Sequence, residues 1–486
     1  VKLSKLIDYF PPDEFYTGRD VDVSGFATHS KKVSGGDVFF AMKGEKSDGR
    51  AFIKEAVSRN ASAVVVQERL KEEISAPQIV MRKPLLALSK WSSFFYGFPA
   101  EKLKITGVTG TNGKSTVAGL IKQIMELKGK SGLIGTSGYL YADKKGKFSM
   151  TTPQAHELQW LLSDMVDNGI ETVVMEVSSH ALELGRVEDI NFESVVFTNL
   201  TQDHLDFHKT MENYFRAKLK IFSKIKTKDR GKALVNVDDG YGRRIKEKKG
   251  EITASYAVKE EADYNADIKS MTVRKSRFIF RSPKEKRKLD VKLIGRFNIY
   301  NCLAALAWAV EGGYDMSSVC GVVSGASPIP GRMEHVKKGK ESGRTVIVDY
   351  AHTPDALENV LLTLRDVCRG RIVCVFGCGG ERDRTKRPLM GKIAGLLADY
   401  VCLTSDNPRG EDPMGILLDI EVGLRDTATE YSVISDREEA IGHSLQIADK
   451  GDVVLIAGKG DENYQVIGDR EIPFSDMATA EKYLKK

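Results

Sequence analysis

Residues 103–122 read LKITGVTGTNGKSTVAGLIK, and no other stretch constrains the fold as much. The β-rich run Leu103 to Val108 meets a glycine turn, GTNGKST, and a helical pattern follows with Val117, Leu120, Ile121 and Ile124 on one face. Strand, glycine turn, lysine and hydroxyls at a helix start form a phosphate cradle. Gly110 and Gly113 let the backbone bend close to an anion, and the N–H groups left open at a helix N-terminus face it. Lys114 adds a charge that reaches the β- and γ-phosphates, and the Ser115 hydroxyl suits Mg²⁺. The usual first glycine of a P-loop is Val108 here, so the turn is a GxxGK[ST] variant. The competing reading is a turn that merely joins strand to helix.

At 486 residues the chain has room for about three domains of roughly 150 residues each. The formal net charge of +6 is small for this length; it suits anionic substrates and gives no argument for nucleic acid. Cys374 and Cys378 are spaced like one half of a zinc site, but no second pair completes it, so reduced thiols are expected. No run reaches the roughly 18 apolar residues of a membrane helix. With no signal-like segment at the start, a cytoplasmic protein is expected.

Residues 1–100 read as a small α/β module with strands at 37–42 and 62–67 and a helix at 51–60. The polar stretch 28–50 around the first strand is either a binding edge or a pair of exposed loops. Residues 101–330 form a second domain. Strand 131–136 precedes a glycine hairpin, and TTP at 151–153 reads as a helix cap with a first-turn proline. Two apolar strands end in polar residues, TVVMEVSSH and SVVFTNLTQDHLDFH. Ligands bind beyond the carboxyl ends of strands in open parallel sheets. Glu176, Ser178 and His204 can therefore join Lys114 and Ser115 around a phosphate and a metal. The alternatives are a strand-end ion pair for Glu176 and a helix cap for His204. Lys218, between apolar positions of helix 214–222, reads by default as a snorkelling lysine. The basic run RRIKEKKG at 243–250 reads as a solvated turn. SPIPGRMEHV marks a boundary near 330. Residues 331–486 repeat strand then polar turn four times, which predicts a doubly wound parallel sheet. GCGG alone is weak evidence for a dinucleotide, and no acidic residue stands in frame to support one.

The ordered set GTNGKST, MEVSSH, TNLTQDHLDFH, YFRAKLKIF, GRFNIYN, GRME, VDYAHTPD, GCGGERDRTKRPLMG, DNPR and GKGDE resembles the Mur ligases over nearly the whole chain. The resemblance implies an α/β, three-domain architecture. It comprises an N-terminal domain (1–100) that holds a UDP-sugar, a central P-loop ATPase domain (101–330) and a C-terminal Rossmann-like domain (331–486) that holds an amino acid. The implied reaction is ATP-dependent amide formation through an acyl phosphate. It adds a diamino acid to UDP-N-acetylmuramoyl-L-alanyl-D-glutamate in peptidoglycan precursor synthesis, with ATP and two Mg²⁺ ions as cofactors. The implied catalytic residues are Lys114, His204 and Lys218, the last carbamylated. ATP falls to Gly110, Thr111, Asn112, Gly113, Lys114, Ser115 and Thr116, with Asn301, Arg332, Asp349 and His352. Metal falls to Ser115, Glu176, His204 and carbamylated Lys218. The UDP-sugar peptide falls to Ser30, Thr151, Thr152, Ser178 and Arg186. Leu184 and Met150 stand where the family often has glutamine and asparagine. The amino acid falls to Arg382, Asp406, Asn407, Arg409, Gly458 and Glu462. An arginine in DNPR suits the extra carboxylate of meso-diaminopimelate and would repel the ammonium of L-lysine. A monomer with no nucleic-acid or membrane partner is expected. The alternatives are a folylpolyglutamate synthetase-like ligase and a P-loop nucleic-acid motor.

Overall fold

The computed structural model describes all residues except 17–19, 45–47, 71, 73, 227–231, 338–342 and 486. Part of the polar stretch 28–50, residues 45–47, thus lies outside the described residues. The chain divides into two compact units, one of residues 1–110, 121–235 and 239–254, the other of 111–120, 236–238 and 255–486.

The first unit holds two sheets. The smaller runs in the order Glu14–Tyr16, Gln78–Val80, Ala63–Val66, Asp37–Phe40, Gly25–Ala27, parallel except at its first edge. Its inner strands are buried at every position, and apolar apart from Asp37 and Gln78, because both faces are covered. Val38, Phe40 and Val65 face Leu88 and Trp91, while Phe39 and Val64 face Ile53 and Ala56. The second sheet places Lys104–Thr109 between Thr172–Glu176 and Ser194–Phe197, all parallel. Ser131–Gly135 pairs on one side and the hairpin Gly138–Tyr141, Lys144–Gly146 completes that edge. The phosphate turn therefore leaves an interior strand. Gly107 on that strand has no room for a side chain, since a β-carbon would fall 2.9 Å from Phe192 and Ile221.

Two sequence expectations fail here. The helix expected at TTP starts later, at Ala155–Asp167, and its start is secured by Glu157, whose carboxylate accepts the Gln154 N–H at 3.2 Å. Thr152 is fully buried, and its hydroxyl donates to the Glu176 carbonyl at 2.9 Å, so a long-range bond competes with the cap. The run 243–250 is no turn: residues 243–249 lie in the helix Gly240–Lys249, and Gly250 ends it. Asp239 caps it by accepting from the Tyr241 and Gly242 N–H groups. Buried Ile245 and Arg244, stacked 4.4 Å from the Phe215 ring and paired with Glu212, anchor this highly charged helix.

In the second unit the antiparallel strands Tyr264–Met271, Ser276–Arg281 and Lys286–Val291 turn Phe278, Phe280, Leu289 and Val291 inward. Helix Arg296–Glu311 is buried along most of its length, as its small residues predict. The six-stranded sheet runs Glu334–His335, Thr345–Asp349, Val453–Ala457, Ile372–Phe376, Tyr400–Leu403, Glu430–Val433. Only its first, edge strand is antiparallel. The strand insertion between Thr345–Asp349 and Ile372–Phe376 makes a topological switch point. The loops at the carboxyl ends carry YAHT, GCGG, DNPR and GKGDE. All six cysteines are free thiols. Among the described residues no helix is long and apolar enough to cross a membrane.

Candidate active site

The phosphate turn is built as its sequence requires. Gly110 has φ +149° and a β-carbon there would fall 1.9 Å from Thr198 Oγ1. Helix Lys114–Met125 begins directly after Gly113. In the second unit Gly113 has φ +84°, and a β-carbon would fall 2.3 Å from Asn301 Oδ1. Only glycine tolerates both the torsion and the contact. Asn301 is oriented from behind, its amide donating to Asn298 Oδ1 at 3.1 Å while Asn298 donates to the Ile294 carbonyl. Asn112 donates to Asp355 at 2.7 Å, and Lys114 Nζ folds back onto the Thr111 carbonyl at 2.7 Å. Ser115 and Thr116 are half-buried on the first helical turn.

Asp349, Arg332 and His352 gather around Tyr350. The buried Asp349 carboxylate accepts the Met333 and Ala351 N–H groups at 2.7 and 2.8 Å. Burial pushes its pKa up, and the Arg332 charge pulls it back. The Arg332 guanidinium lies 4.7 Å from the Tyr350 ring, and the exposed His352 turns Nδ1 to the Tyr350 carbonyl at 2.9 Å.

In the first unit Glu176 is buried, and its two oxygens accept from the Thr136 N–H and hydroxyl at 3.0 and 3.1 Å. Gly135 leaves the space for it, since a β-carbon there would fall 2.2 Å from Oε1. The Thr151 hydroxyl meets that of Thr136, and the Thr152 hydroxyl accepts the Ser178 N–H. Arg186 donates to the Thr152 carbonyl at 3.2 Å, and burial lowers its pKa. Glu176, Thr151, Thr152, Ser178 and Arg186 thus form one connected cluster. Lys218 overturns the snorkelling reading. It is 2% exposed, donates to the Gly110 carbonyl at 2.8 Å and lies 4.8 Å from the Tyr214 ring. His204 stands at the N-cap position of the short helix Leu205–His208 with a left-handed backbone, φ +54°, but its side chain makes no cap bond. Its ring stands 4.8 Å edge-on from His180.

A cavity of about 1390 Å³ in the first unit is lined by Ser30, Gln154, His180 and Arg186, with Lys31, Lys43, Arg82 and Lys83. Its two acids, Glu183 and Glu188, are neutralised by Lys220 and Lys224. The remaining wall is positive and suits an anionic ligand. Ser30 itself donates to Glu55 at 2.6 Å.

The predicted amino-acid residues meet at the switch point of the second unit. Arg409 has φ +53°, and its Nη1 donates to the Gly380 and Asn407 carbonyls at 2.8 and 3.4 Å. Asn407 donates to Glu462 at 3.1 Å. A β-carbon on Gly458 would fall 3.0 Å from Asp406. Arg382 is exposed, with its Cγ 3.7 Å from the β-carbon position of Gly379. Sequence reasoning missed three residues here. Lys459 is buried among Asn407, Glu462 and Asp406. Buried Arg387 holds Glu411 and the Gly379 carbonyl. Arg437 ties the Ser405 and Ala457 carbonyls. The lysine of GKGDE was in view as part of a motif, but nothing local signals burial.

Models of the Mur ligase middle domain, the Mur ligase glutamate ligase domain and the Mur ligase family catalytic domain match residues 108–309, 331–460 and 22–96. The chain belongs to the Mur ligase family. It therefore has the three-domain α/β architecture of Mur ligases and is an ATP-dependent ligase. It is 42% identical to the UDP-N-acetylmuramoyl-L-alanyl-D-glutamate–2,6-diaminopimelate ligase of Geobacillus thermodenitrificans, over 100% of both chains. It is 41% identical to that of Syntrophomonas wolfei, over 96% of this chain and 95% of the relative. A solved structure of a ligase of the same name is 32% identical with TM-score 0.67, covering 99% of this Mur ligase and 98% of that chain. The ADP complex of Mycobacterium tuberculosis folylpolyglutamate synthase, at 16% identity and TM-score 0.62 over 76% of this chain and 90% of that one, shares the fold alone.

Proposed function

We propose that this Mur ligase adds a diamino acid to UDP-N-acetylmuramoyl-L-alanyl-D-glutamate, with meso-2,6-diaminopimelate favoured over L-lysine. The observation that carries the amino-acid choice is Arg409. Its Nη1 is anchored to two carbonyls, while Nε and Nη2 take no hydrogen bond among the described residues. A half-anchored guanidinium keeps a fork open for a carboxylate. Diaminopimelate has a second carboxylate to put there; lysine would bring an ammonium to a cation. The names of the full-length relatives support the same choice.

A carboxylate is a poor electrophile until one oxygen becomes a leaving group. Transfer of the γ-phosphoryl of ATP gives an acyl phosphate and ADP. The amine then attacks the acyl carbon, and phosphate leaves from the tetrahedral intermediate. Phosphoryl transfer asks the protein mainly for positioning and charge neutralisation. Lys114 and the N–H groups of residues 110–116 supply both. Asn301, Arg332, Asp349 and His352 hold the nucleotide. The positive cavity with Ser30 and Arg186 holds the UDP-sugar, and Thr151, Thr152 and Ser178 hold the peptide.

The residues fit Mg²⁺, a hard cation that takes few protein oxygens beside water and phosphate. Glu176 and the Ser115 hydroxyl are such donors, and His204 completes the proposed set for two ions. A buried ammonium is costly at Lys218. Its neutral amine can take up CO₂, and the resulting carbamate is a further oxygen donor. When bound, Mg²⁺ neutralises phosphate charge. We take the ligase to be a cytoplasmic monomer, with domains at 1–100, 101–330 and 331–486.

The test is phosphate release with UDP-N-acetylmuramoyl-dipeptide and equal amounts of both diamino acids, with products read by mass spectrometry. Diaminopimelate product should dominate, and DNA or RNA should not stimulate release. A lysine product in equal or greater amount would overturn the amino-acid choice.

A further inference from the structure

Asp406 and Asn407 reach the amino-acid site from the loop after Tyr400–Leu403, and Glu462 reaches it from the loop after Val453–Ala457. Lys459 belongs to the second of these loops and reaches the first, with 0% of its side chain exposed. Its Nζ donates to Asn407 Oδ1 at 3.0 Å and to Glu462 Oε2 at 2.9 Å, and Asp406 Oδ1 lies 3.7 Å away. Asn407 Nδ2 closes the ring by donating to the same Glu462 oxygen at 3.1 Å. The Val466 N–H also donates to Asn407 Oδ1, so the hairpin Tyr464–Ile467, Arg470–Pro473 is tied in. Glu462 Oε1 and the Asp406 carboxylate accept no hydrogen bond among the described residues.

A lysine buried this deeply needs anionic partners. The Glu462 and Asp406 carboxylates supply them, and the ring leaves Glu462 Oε1 and the Asp406 carboxylate open as acceptors. Those oxygens suit the ammonium group of an amino acid. We infer that Lys459 is a positioning residue for amino-acid capture: it locks Glu462 and Asn407 together across two loops and leaves Glu462 Oε1 and the Asp406 carboxylate as the open acceptors. This rests on the ligase reading above and adds a residue to which that reading gives no role.

The test compares wild type, Lys459→Met, Glu462→Gln and the double variant in the diaminopimelate-dependent phosphate-release assay. Lys459→Met should raise the KM for diaminopimelate by about tenfold or more, the size of a lost charged hydrogen bond. The kcat and the KM values for ATP and the UDP-sugar should stay within about twofold. A merely structural lysine would lower kcat or all three affinities together. The double variant should match Glu462→Gln within about twofold, since Lys459 acts through Glu462. It removes the buried charge together with its partner, so it carries the test if Lys459→Met does not fold. An unchanged KM in Lys459→Met, or a double-variant KM well above that of Glu462→Gln, overturns the inference. Absence of amino-acid-dependent turnover in wild type would instead overturn the ligase reading.

Discussion

Asp476 opens the final helix, Asp476–Tyr483, and its carboxylate grips Arg437 through Nε and Nη2 at 2.7 and 2.8 Å. Both side chains are 0% exposed. Arg437 also donates to the Ser405 carbonyl at 3.2 Å and to the Ala457 carbonyl at 2.9 Å. Those carbonyls immediately precede Asp406 and Gly458, so one ion pair braces both loops of the proposed amino-acid site. Asp476→Asn keeps the shape but leaves a buried guanidinium without its counter-charge. Breaking a buried pair from one side costs about 3–5 kcal/mol. At about 2–4 °C per kcal/mol for a unit of this size, the Tm should fall by about 6–20 °C. Scanning calorimetry measures this directly. The double replacement Arg437→Met with Asp476→Leu should fall less than the single variant, because no uncompensated charge remains. A single variant within about 2 °C of wild type, or a double variant less stable than the single, would refute the reasoning.

Lys218→Ala should lose most activity and regain part of it with added short-chain carboxylic acids, read by phosphate release; full activity without rescue would show that no carbamate is needed. Arg409→Ala should lose diaminopimelate use more than any lysine use, by a factor of about ten or more in kcat/KM, as expected for a lost charged pair. An equal loss would separate Arg409 from specificity. Glu411 is hydrogen-bonded by the Arg387 guanidinium and the Glu381 N–H, which hold its pKa down at about 2. Because the folded value is depressed, the stability it contributes is present above pH about 4.5 and is lost as pH falls towards 2. Glu411→Gln should therefore lower the Tm at pH 7 and flatten its decline between pH 5 and pH 2, as followed by circular dichroism.

The phosphate turn was legible because its information is local. Glycines, a lysine and hydroxyls at a strand–helix junction have few other uses, and the strands running into Glu176 and towards His204 are apolar enough to be read without knowing their neighbours. The same holds for the repeated strand-and-turn rhythm of residues 331–486. Local reading failed where a distant partner decided the outcome. Helix Gly240–Lys249 looks too charged to fold until Arg244 is seen stacked on Phe215. The helix start at Ala155 is displaced from Thr152 because that hydroxyl bonds Glu176. Strain was hidden too. His204, Met333, Glu381 and Arg409 all have positive φ without being glycine, and each is a candidate site residue or adjoins one. Such torsions persist only when the surroundings hold them.

The residues alone determined that this chain would build a nucleotide cradle on a parallel α/β scaffold, because glycine torsions, helix starts and buried strands are set by neighbours a few positions away. Only the tertiary structure decided that Lys218 and Lys459 are interior lysines and that Arg437 braces two loops. Whether a charged side chain is buried depends on which distant carboxylates and carbonyls the fold brings to it, and a lysine looks the same in sequence whether it meets them or water.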